Sequence, residues 1–267
     1  MPADPSAQPQ SAVVARLRAA GCVFAEDEAR LLISAARTPA DLDAMVERRS
    51  AGLPLEQILG WAEFCGLRIA IEPGVFVPRR RTEFLVQQAA ALAGPGTDAR
   101  PTVVVDLCCG SGAVGVALLA ALDRVELYAV DVDPAEVRCA RRNVGDRGRV
   151  YEGDLFEPLP AALRGRIDIL VANAPYVPTG SVALMPPEAR VHEPPVALDG
   201  GVDGLDVLRR VIADAPRWLA PGGHLLFETG EGQAGDAAAA VAASGLIPRV
   251  AGSDELSATV VIGANAM

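Results

Sequence analysis

The sequence is poor in several features that point to particular kinds of protein. Only 4% of its 267 residues are aromatic, only two are histidine, and its 24 basic residues fall short of its 34 acidic ones. Proteins that bind nucleic acid through its phosphates normally carry a basic patch. With a formal charge of −10, this chain is not expected to bind nucleic acid directly.

The cysteines show no recognisable spacing. The chain has five, and none belongs to a C-x-x-C or Cys/His pattern: Cys22, Cys65, Cys108, Cys109 and Cys139. An odd number of scattered cysteines indicates reduced thiols rather than a disulfide framework or a zinc site. We therefore expect no metal centre and a cytoplasmic location.

Long apolar runs are also absent. No run reaches the roughly 20 residues of a membrane-spanning helix, so no membrane partner is expected. Residues 1–10 lack the basic start and apolar centre of a signal peptide, and we expect a disordered tail there. The 51% hydrophobic content predicts a globular protein, which we expect to act as a monomer.

The order of apolar patterns predicts three regions. Residues 11–60 repeat apolar side chains at helical spacing and predict a small helical N-terminal domain. Residues 61–78 predict a hairpin linker, with two short strands flanking Gly66. Residues 79–267 alternate strands and helices, with a Gly/Pro-rich linker at 94–97 and a turn at 221–223 that precedes a strand beginning at His224. This predicts a Rossmann-like α/β domain with a doubly wound sheet of seven strands.

A glycine-rich turn follows the first strand of that sheet. The strand at 102–107 leads into a turn and then a helix from Ala113; the turn comprises Cys108, Cys109, Gly110, Ser111 and Gly112. Such a turn lets a ligand approach the backbone closely, in front of a helix N-terminus. Asp106, just before the turn, is suited to hold a cationic amino-acid tail through it.

Acidic residues end the next two strands. Asp131 lies 19 residues after Gly112, where a carboxylate accepts hydrogen bonds from ribose hydroxyls. Asp133 predicts a helix N-cap, with Glu136 closing a capping-box-like pair. Asp154 is placed to accept from an exocyclic adenine amine, with Leu155 packed on the purine.

The fourth strand, at 167–172, ends in the cluster Asn173, Ala174, Pro175 and Tyr176. The Asn173 side chain offers an acceptor, Pro175 forces Ala174 into extended geometry with its carbonyl pointing outward, and Tyr176 offers a flat face. Together these groups can hold a planar amine or amide nitrogen by both of its N–H bonds. The same tetrapeptide in isolation also fits an ordinary turn.

Other polar residues leave two interpretations open. The run Arg79, Arg80, Arg81 fits either a solvated loop before a helix that begins near Thr82, or a clamp leading into the site. His192 fits a loop histidine better than a catalytic base. We expect His224 to be structural, and we place Glu228 outside the site.

Both NAD and S-adenosylmethionine bind such sheets, but Asp106 and the cluster at 173–176 favour the latter. The arrangement resembles the class I S-adenosylmethionine-dependent methyltransferases, and the cluster is similar to the Asn-Pro-Pro-Tyr motif of those that methylate amino or amide nitrogens.

The resemblance extends along nearly the whole chain, to the HemK/PrmC family of protein-(glutamine-N5) methyltransferases. It rests on the segments 47–49, 54–60, 64–67, 77–83, 193–198, 200–206 and 227–233. The resemblance implies a substrate-recognising helical N-terminal domain, S-adenosylmethionine as donor, and the Gly-Gly-Gln glutamine of a peptide-chain release factor as acceptor. It also implies cofactor contacts at 108–112, Asp131 and Leu155, and substrate contacts at 173–176.

Three departures from the family pattern stand out. Cys108-Cys109 replaces Gly-Thr, Pro-Arg-Arg-Arg-Thr replaces Pro-Arg-Pro-Glu-Thr, and Ala174 replaces a proline. Three alternatives therefore stay open: an NAD-dependent oxidoreductase, a methyltransferase acting on another amino nitrogen in a nucleic-acid base or small molecule, and a non-catalytic S-adenosylmethionine-binding module.

Overall fold

The computed structural model describes residues 7–93 and 100–266. The linker predicted at 94–97 and the first six residues of the predicted tail lie outside them. The first helix begins at Ala7, so residues 7–10 of the predicted tail are helical instead.

The N-terminal region consists of four helices: α1 (Ala7–Ala19), α2 (Ala25–Ala35), α3 (Pro39–Ser50) and α4 (Leu55–Leu59). Thr38 caps α3 by accepting a hydrogen bond from the backbone N–H of Asp41, and Pro39 occupies the first helical position. The amphipathic faces of the helices bury a separate small core that includes Leu17, Leu32 and Val46.

A two-stranded hairpin links this bundle to the rest of the chain. Its strands, β1 (Trp61–Phe64) and β2 (Leu67–Ala70), pair antiparallel as the sequence predicts. The two-residue turn needs positive φ angles, and Cys65 (51°) and Gly66 (71°) supply them.

The large domain is built on a seven-stranded sheet in the order β5-β4-β3-β6-β7-β9-β8. The strands are β3 (Thr102–Leu107), β4 (Val125–Asp131), β5 (Gly148–Glu152), β6 (Ile167–Ala172), β7 (Leu219–Thr229), β8 (Ile247–Ser253) and β9 (Ala258–Ala264). The first five run parallel, whereas β9 pairs antiparallel with both β7 and β8. The predicted Rossmann-like α/β sheet is confirmed.

Helices cover both faces of the sheet: α5 (Glu83–Ala93), α6 (Ala113–Ala121), α7 (Pro134–Val144), α10 (Asp206–Trp218) and α11 (Ala234–Ala243). Two short helices, α8 (Thr179–Val182) and α9 (Pro187–His192), lie after β6. Val103 and Val105 pack into one core, and Val104 into the other. Burial on both faces explains why these strands show no alternation of apolar and polar residues.

One strand differs from the prediction. The turn expected at 221–223 lies inside β7, which begins at Leu219 rather than at His224. The pairing of β6 with β7 shifts register between Ile167 and Ile169, so the extra residues of β7 form a bulge.

The strand order reverses between β3 and β6. β4 and β5 follow β3 on one side, and β7 follows β6 on the other. The carboxyl ends of β3 and β6 therefore border a topological switch point, where ligands bind in open α/β sheets. The glycine-rich turn directly follows β3 and Asn173 directly follows β6, so both lie at this point.

Candidate active site

A cavity of about 300 Å³ opens at the switch point and is called the main cavity here. Its wall includes most of the predicted cofactor-binding residues and part of the Asn173 cluster. These are Asp106, Cys108, Cys109, Gly110, Ser111, Asp131, Asp154, Leu155, Asn173 and Pro175. Segments that are distant in sequence thus converge on one cavity.

Gly112 is the predicted cofactor-binding residue that is not part of this wall. It precedes α6 and lies against Ala140 of α7, where a Cβ would come within 3.3 Å of the alanine Cα. Its role in the structure is close packing of two helices.

Asp106 lies beneath the glycine-rich turn and is 1% exposed. Its Oδ2 accepts a hydrogen bond from the backbone N–H of Gly115, 2.8 Å away, so the carboxyl group fixes the first turn of α6. Burial raises the pKa of Asp106 to about 7. The residue therefore holds the turn in place and contributes to the cavity floor.

Asp131 closes the turn from the end of β4. Its Oδ2 accepts from the backbone N–H of Gly110 at 2.8 Å, and its Oδ1 accepts from that of Asp133 at 3.0 Å. Each carboxylate oxygen has a further lone pair for a ligand hydroxyl. Burial raises the pKa of Asp131 above its usual value.

Asp154 and Leu155 border the same cavity beyond β5. Asp154 Oδ2 accepts from Arg210 on α10 at 2.6 Å, which ties the two sides of the cavity together. Leu155 adopts a left-handed backbone with φ of 50° and is 9% exposed, so an apolar side chain lies in the cavity wall.

The capping pair predicted before α7 is only half correct. Asp133 is the N-cap and accepts from the backbone N–H of Ala135 at 2.7 Å. Glu136 does not close the pair, because its Oε1 accepts from the backbone N–H of Phe76 at 2.7 Å. Glu136 therefore anchors the segment before the arginine run and enters the wall of the main cavity.

A smaller second cavity adjoins the first and shares Asn173, Pro175, Phe76 and Ala197 with it. Ala174 and Tyr176 complete the predicted cluster in its wall. The backbone of the cluster is fixed by Gln233, whose Nε2 donates to the Tyr176 carbonyl at 2.9 Å. A Cβ at Gly204 would lie 2.3 Å from that carbonyl, so only glycine permits the close approach.

Glu228 is a site residue that the sequence interpretation left out. It is 2% exposed, and its carboxylate accepts from Tyr176 Oη (2.6 Å), Arg81 Nε (2.9 Å) and Thr82 Oγ1 (2.7 Å). Its neighbour Phe227 pairs with Ala172 in the sheet, so Glu228 lies at the same edge as Asn173. Ligands bind at the carboxyl ends of the strands in such sheets, so the position of Glu228 near the end of its strand is the sequence signal that could have identified it.

The arginine run lies beside the site rather than in free solvent. Arg79 donates to both carboxylate oxygens of Glu193 at 2.6 Å, and Arg81 contacts Glu228 and the second cavity. A 3-10 turn at Arg80–Thr82 precedes α5, which begins at Glu83. This placement fits the interpretation of the run as part of the site.

Neither histidine contributes to the two cavities. His192 ends α9, and its backbone carbonyl accepts from Gln57. His224 is part of β7, and burial lowers its pKa. His192 therefore ends a short helix rather than lying in the expected loop, whereas the placement of His224 agrees with the structural role expected for it.

The cysteines of the glycine-rich turn are free thiols, as are the other three. Burial raises the pKa of Cys108 and Cys109, so both are neutral thiols at physiological pH. Among residues 7–93 and 100–266, no group of three His, Cys, Asp or Glu side chains could hold a metal ion. In the same part of the chain, no helix is both long and apolar enough to cross a bilayer.

Comparison with known proteins places the chain in a family. The model of the family Methyltransferase small domain matches residues 66–185. A release factor glutamine methyltransferase of Geobacter sulfurreducens is 42% identical over 193 residues, 71% of this chain and 65% of the relative. One of Streptomyces coelicolor is 40% identical over 73% of this chain and 71% of its own length. The chain belongs to the release factor glutamine methyltransferase family.

Another relative has a different acceptor. A 4-amino-L-phenylalanine/4-methylamino-L-phenylalanine methyltransferase of Streptomyces pristinaespiralis is 39% identical over 75% of this chain and 69% of its own length. These three matches thus cover about two thirds of each relative.

A solved structure agrees on the fold. The 16S rRNA N2 G1207 methyltransferase of T. thermophilus, in complex with AdoMet and guanosine, matches with a TM-score of 0.56 at 20% identity, covering 77% of this chain and 49% of its own.

The methyl donor of this family is S-adenosylmethionine, and the main cavity fits it. Five carboxyl groups border the cavity, against one guanidinium, Arg210, which Asp154 already pairs: Asp106, Asp131, Asp133, Asp154 and Glu136. One carboxylate oxygen, Oε2 of Glu136, is buried with no hydrogen-bond partner. Excess negative charge and spare acceptors suit a ligand that carries a sulfonium, an ammonium and ribose hydroxyls.

Proposed function

We propose that this protein transfers the methyl group of S-adenosylmethionine to the side-chain amide nitrogen (N5) of a protein glutamine, the Gly-Gly-Gln glutamine of a peptide-chain release factor. The observation that carries the proposal is the meeting of the two cavities at Asn173 and Pro175. An acceptor nitrogen in the second cavity thereby lies next to a donor in the main cavity. The names of the relatives support this acceptor.

The residues of the 173–176 cluster have separate roles in the reaction. S-adenosylmethionine supplies an electrophilic methyl group, whereas an amide nitrogen is a weak nucleophile because its lone pair is delocalised. The Asn173 side-chain oxygen and the Ala174 carbonyl each accept one amide N–H, which orients the nitrogen and stabilises the positive charge that develops on it. Tyr176 provides the face on which the planar amide lies.

No strong base is required at the nitrogen. As the bond between the nitrogen and the methyl carbon forms, the bond between that carbon and sulfur breaks, and the cationic nitrogen then releases its proton to water. The substitution Ala174 for proline preserves the carbonyl acceptor, so the departure at this position is compatible with turnover. Ala174 is 1% exposed, and its small side chain is packed in the core.

The experiment is incubation of purified protein with S-adenosylmethionine and unmethylated release factor, followed by mass spectrometry that maps any added methyl group. We expect one methyl group on the glutamine of the Gly-Gly-Gln loop. No transfer, with cofactor binding intact by calorimetry, would contradict the acceptor but not the donor.

A second candidate acceptor is an aromatic amine that carries an amino acid, as the name of the Streptomyces pristinaespiralis relative suggests. Arg81 supports it, because its guanidinium borders the second cavity and its side chain is 48% exposed. A guanidinium there suits a carboxylate on a small acceptor. 4-Amino-L-phenylalanine therefore belongs in the same assay, and its methylation in preference to the release factor would select this candidate.

We propose further that the N-terminal helices recognise the protein substrate. Arg49 joins them to the large domain by donating to Glu188 of α9. In sequence, α9 lies between Met185 and Ala197, which both line the second cavity. Val23 and Phe24 are 82% and 69% exposed on the surface of the N-terminal region. Phe24→Ser should raise KM for the release factor and leave the affinity for S-adenosylmethionine unchanged; equal KM values would contradict this role.

The remaining parts of the proposal concern cellular context. We infer that the protein acts as a monomer in the cytoplasm and without direct contact to nucleic acid. The excess of acidic over basic residues supports the last point. Light scattering of the purified protein tests the oligomeric state.

A further inference from the structure

Glu136 has a carboxylate oxygen that the described structure leaves unpaired. The side chain is 2% exposed, and Oε1 is satisfied by the backbone N–H of Phe76 at 2.7 Å. Oε2 has no partner, and within the part of the chain that the structure describes it is the only buried side-chain nitrogen or oxygen in that condition. A buried polar atom without a partner costs free energy, so it requires an explanation.

The charged groups with the largest effect on Glu136 are acidic. Asp131 and Asp133 face it from the end of β4, and Glu193 faces it from the segment after α9. The charge of Glu193 is itself paired, because Arg79 donates to both of its carboxylate oxygens. Burial, followed by these like charges, raises the pKa of Glu136 to about 8, even though the Phe76 N–H opposes the shift.

The unpaired oxygen belongs to the wall of the main cavity beside the glycine-rich turn. A Cβ placed on Gly110 would lie 3.6 Å from Oε2, so the absence of a side chain there keeps the space next to this oxygen free. The terminal torsion of a glutamate is broad, so a small rotation suffices to turn Oε2 towards a ligand. Gly110 also donates to Asp131, which places Glu136 next to the predicted ribose contact.

We propose that Glu136 is a cofactor-binding residue whose Oε2 accepts a hydrogen bond from a donor group of S-adenosylmethionine, either the ammonium of its amino-acid tail or a ribose hydroxyl. This inference rests on S-adenosylmethionine as the methyl donor and not on the identity of the acceptor. A failure of this inference and a failure of the proposed acceptor are therefore seen in separate experiments. The packing of Phe76 against the cavity makes the same side chain a link between the bound ligand and the segment that leads to the arginine run.

Binding should then be coupled to a proton. A donor at Oε2 favours the ionised carboxylate, whereas the empty site favours the protonated form near neutral pH. Ligand binding at pH 7.5 therefore releases a proton from Glu136. Asp106 and the amino group of the ligand also titrate near neutral pH, so a variant at position 136 is the proper reference for this effect.

The test is isothermal titration of the intact protein with S-adenosylhomocysteine, which keeps both kinds of donor, and with 5′-methylthioadenosine, which keeps the ribose but lacks the ammonium. Glu136→Gln retains an acceptor for Phe76 and removes the acceptor at Oε2. Glu152→Gln is the matched control, because Glu152 pairs with Asp131 in the sheet but is exposed and outside the cavity wall.

At pH 8.5 we expect Glu136→Gln to weaken binding of S-adenosylhomocysteine by about tenfold or more, and Glu152→Gln to have no effect. An equal loss with 5′-methylthioadenosine assigns the donor to the ribose, and a loss confined to S-adenosylhomocysteine assigns it to the ammonium. Titrations at pH 7.5 in two buffers of different ionisation enthalpy should show less proton release for Glu136→Gln than for the unmodified protein.

Unchanged affinity together with unchanged proton release in Glu136→Gln would overturn the proposal. Glu136 would then be a buried acid that does not contact the cofactor, or its Oε2 would be paired with a bound water. Should Glu136→Gln fail to fold, Glu136→Asp serves in its place. The shorter side chain keeps the charge but withdraws the oxygens from the cavity, so the same loss of affinity is expected.

Discussion

The phenol of Tyr176 donates a hydrogen bond to Oε1 of Glu228 across 2.6 Å. The two residues are 52 positions apart, and Arg81 donates to the same oxygen while its guanidinium lies 5.7 Å from the centre of the Tyr176 ring. Burial and the nearby Glu228 carboxylate both raise the pKa of Tyr176, so the phenol stays protonated and donating. The orientation of the Tyr176 ring is therefore fixed by Glu228 and Arg81, which lie outside the 173–176 cluster.

This link predicts that Glu228 acts on the acceptor through Tyr176. Tyr176→Phe and Glu228→Gln should each lower kcat/KM for the acceptor about tenfold and leave the affinity for S-adenosylmethionine unchanged, since neither residue borders the main cavity. In a double-mutant cycle the two effects should be coupled by about 1–2 kcal/mol. Strictly additive losses would show that the two side chains act separately.

Asn173→Ala should reduce kcat for the acceptor by about a hundredfold or more, equivalent to ~3 kcal/mol, because one of two acceptors for the reacting amide is lost. Single-turnover kinetics with saturating donor measure the step directly. Circular dichroism confirms that the variant is folded. A folded Asn173→Ala enzyme with unchanged turnover contradicts the assigned role.

The raised pKa of Glu136 predicts a stability that declines with rising pH. Between its ordinary value of 4.5 and about 8, the folded chain holds a proton that the unfolded chain has released. The stability that this group contributes is thus highest below pH 4.5 and falls as the pH rises from 4.5 to 8, by as much as about 5 kcal/mol. Urea unfolding at pH 5 and pH 9 should show a smaller decline for Glu136→Gln than for the unmodified protein. An equal decline would place the titration elsewhere, with Asp106 as the next candidate.

Arg49 predicts a large loss of stability on truncation. Its Nε and Nη2 donate to Glu28 at 2.6 and 3.1 Å, and both side chains are 10% exposed. Arg49→Ala leaves Glu28 buried without its partner, at a cost of about 3–5 kcal/mol in the free energy of unfolding. Arg16→Ala is the control, because its pair with Asp43 is exposed and should contribute less than about 1 kcal/mol. Equal losses in the two variants would contradict the argument from burial.

The sequence identifies the sheet and most of the main cavity because those features depend on local patterns. A buried strand, a glycine turn and a terminal acid can each be recognised within about ten residues, and the edge rule for parallel strands brings Asp131, Asp154 and Asn173 together. The start of β7 was misplaced because its bulge depends on pairing with β6 rather than on its own residues.

The hydrogen-bond partners of isolated acidic residues cannot be identified from local patterns in this way. Glu136 has two backbone donors to choose from, its own N-cap or Phe76, and only the position of a segment 60 residues away decides between them. Glu228 similarly receives donors from Arg81 and Thr82, about 146 residues earlier in the chain. Such contacts are consequences of the tertiary fold and leave no periodicity or spacing in the sequence.

The pair of acceptors proposed at Asn173 and Ala174 also bears on how many methyl groups one nitrogen receives. A primary amide satisfies both acceptors, but its methylated product has one N–H and leaves one acceptor without a partner. A site of this kind favours fresh substrate over its own product, and so limits the reaction to a single addition. An enzyme of the same family that proceeds to a second addition needs an acceptor site in which one of these two contacts is dispensable.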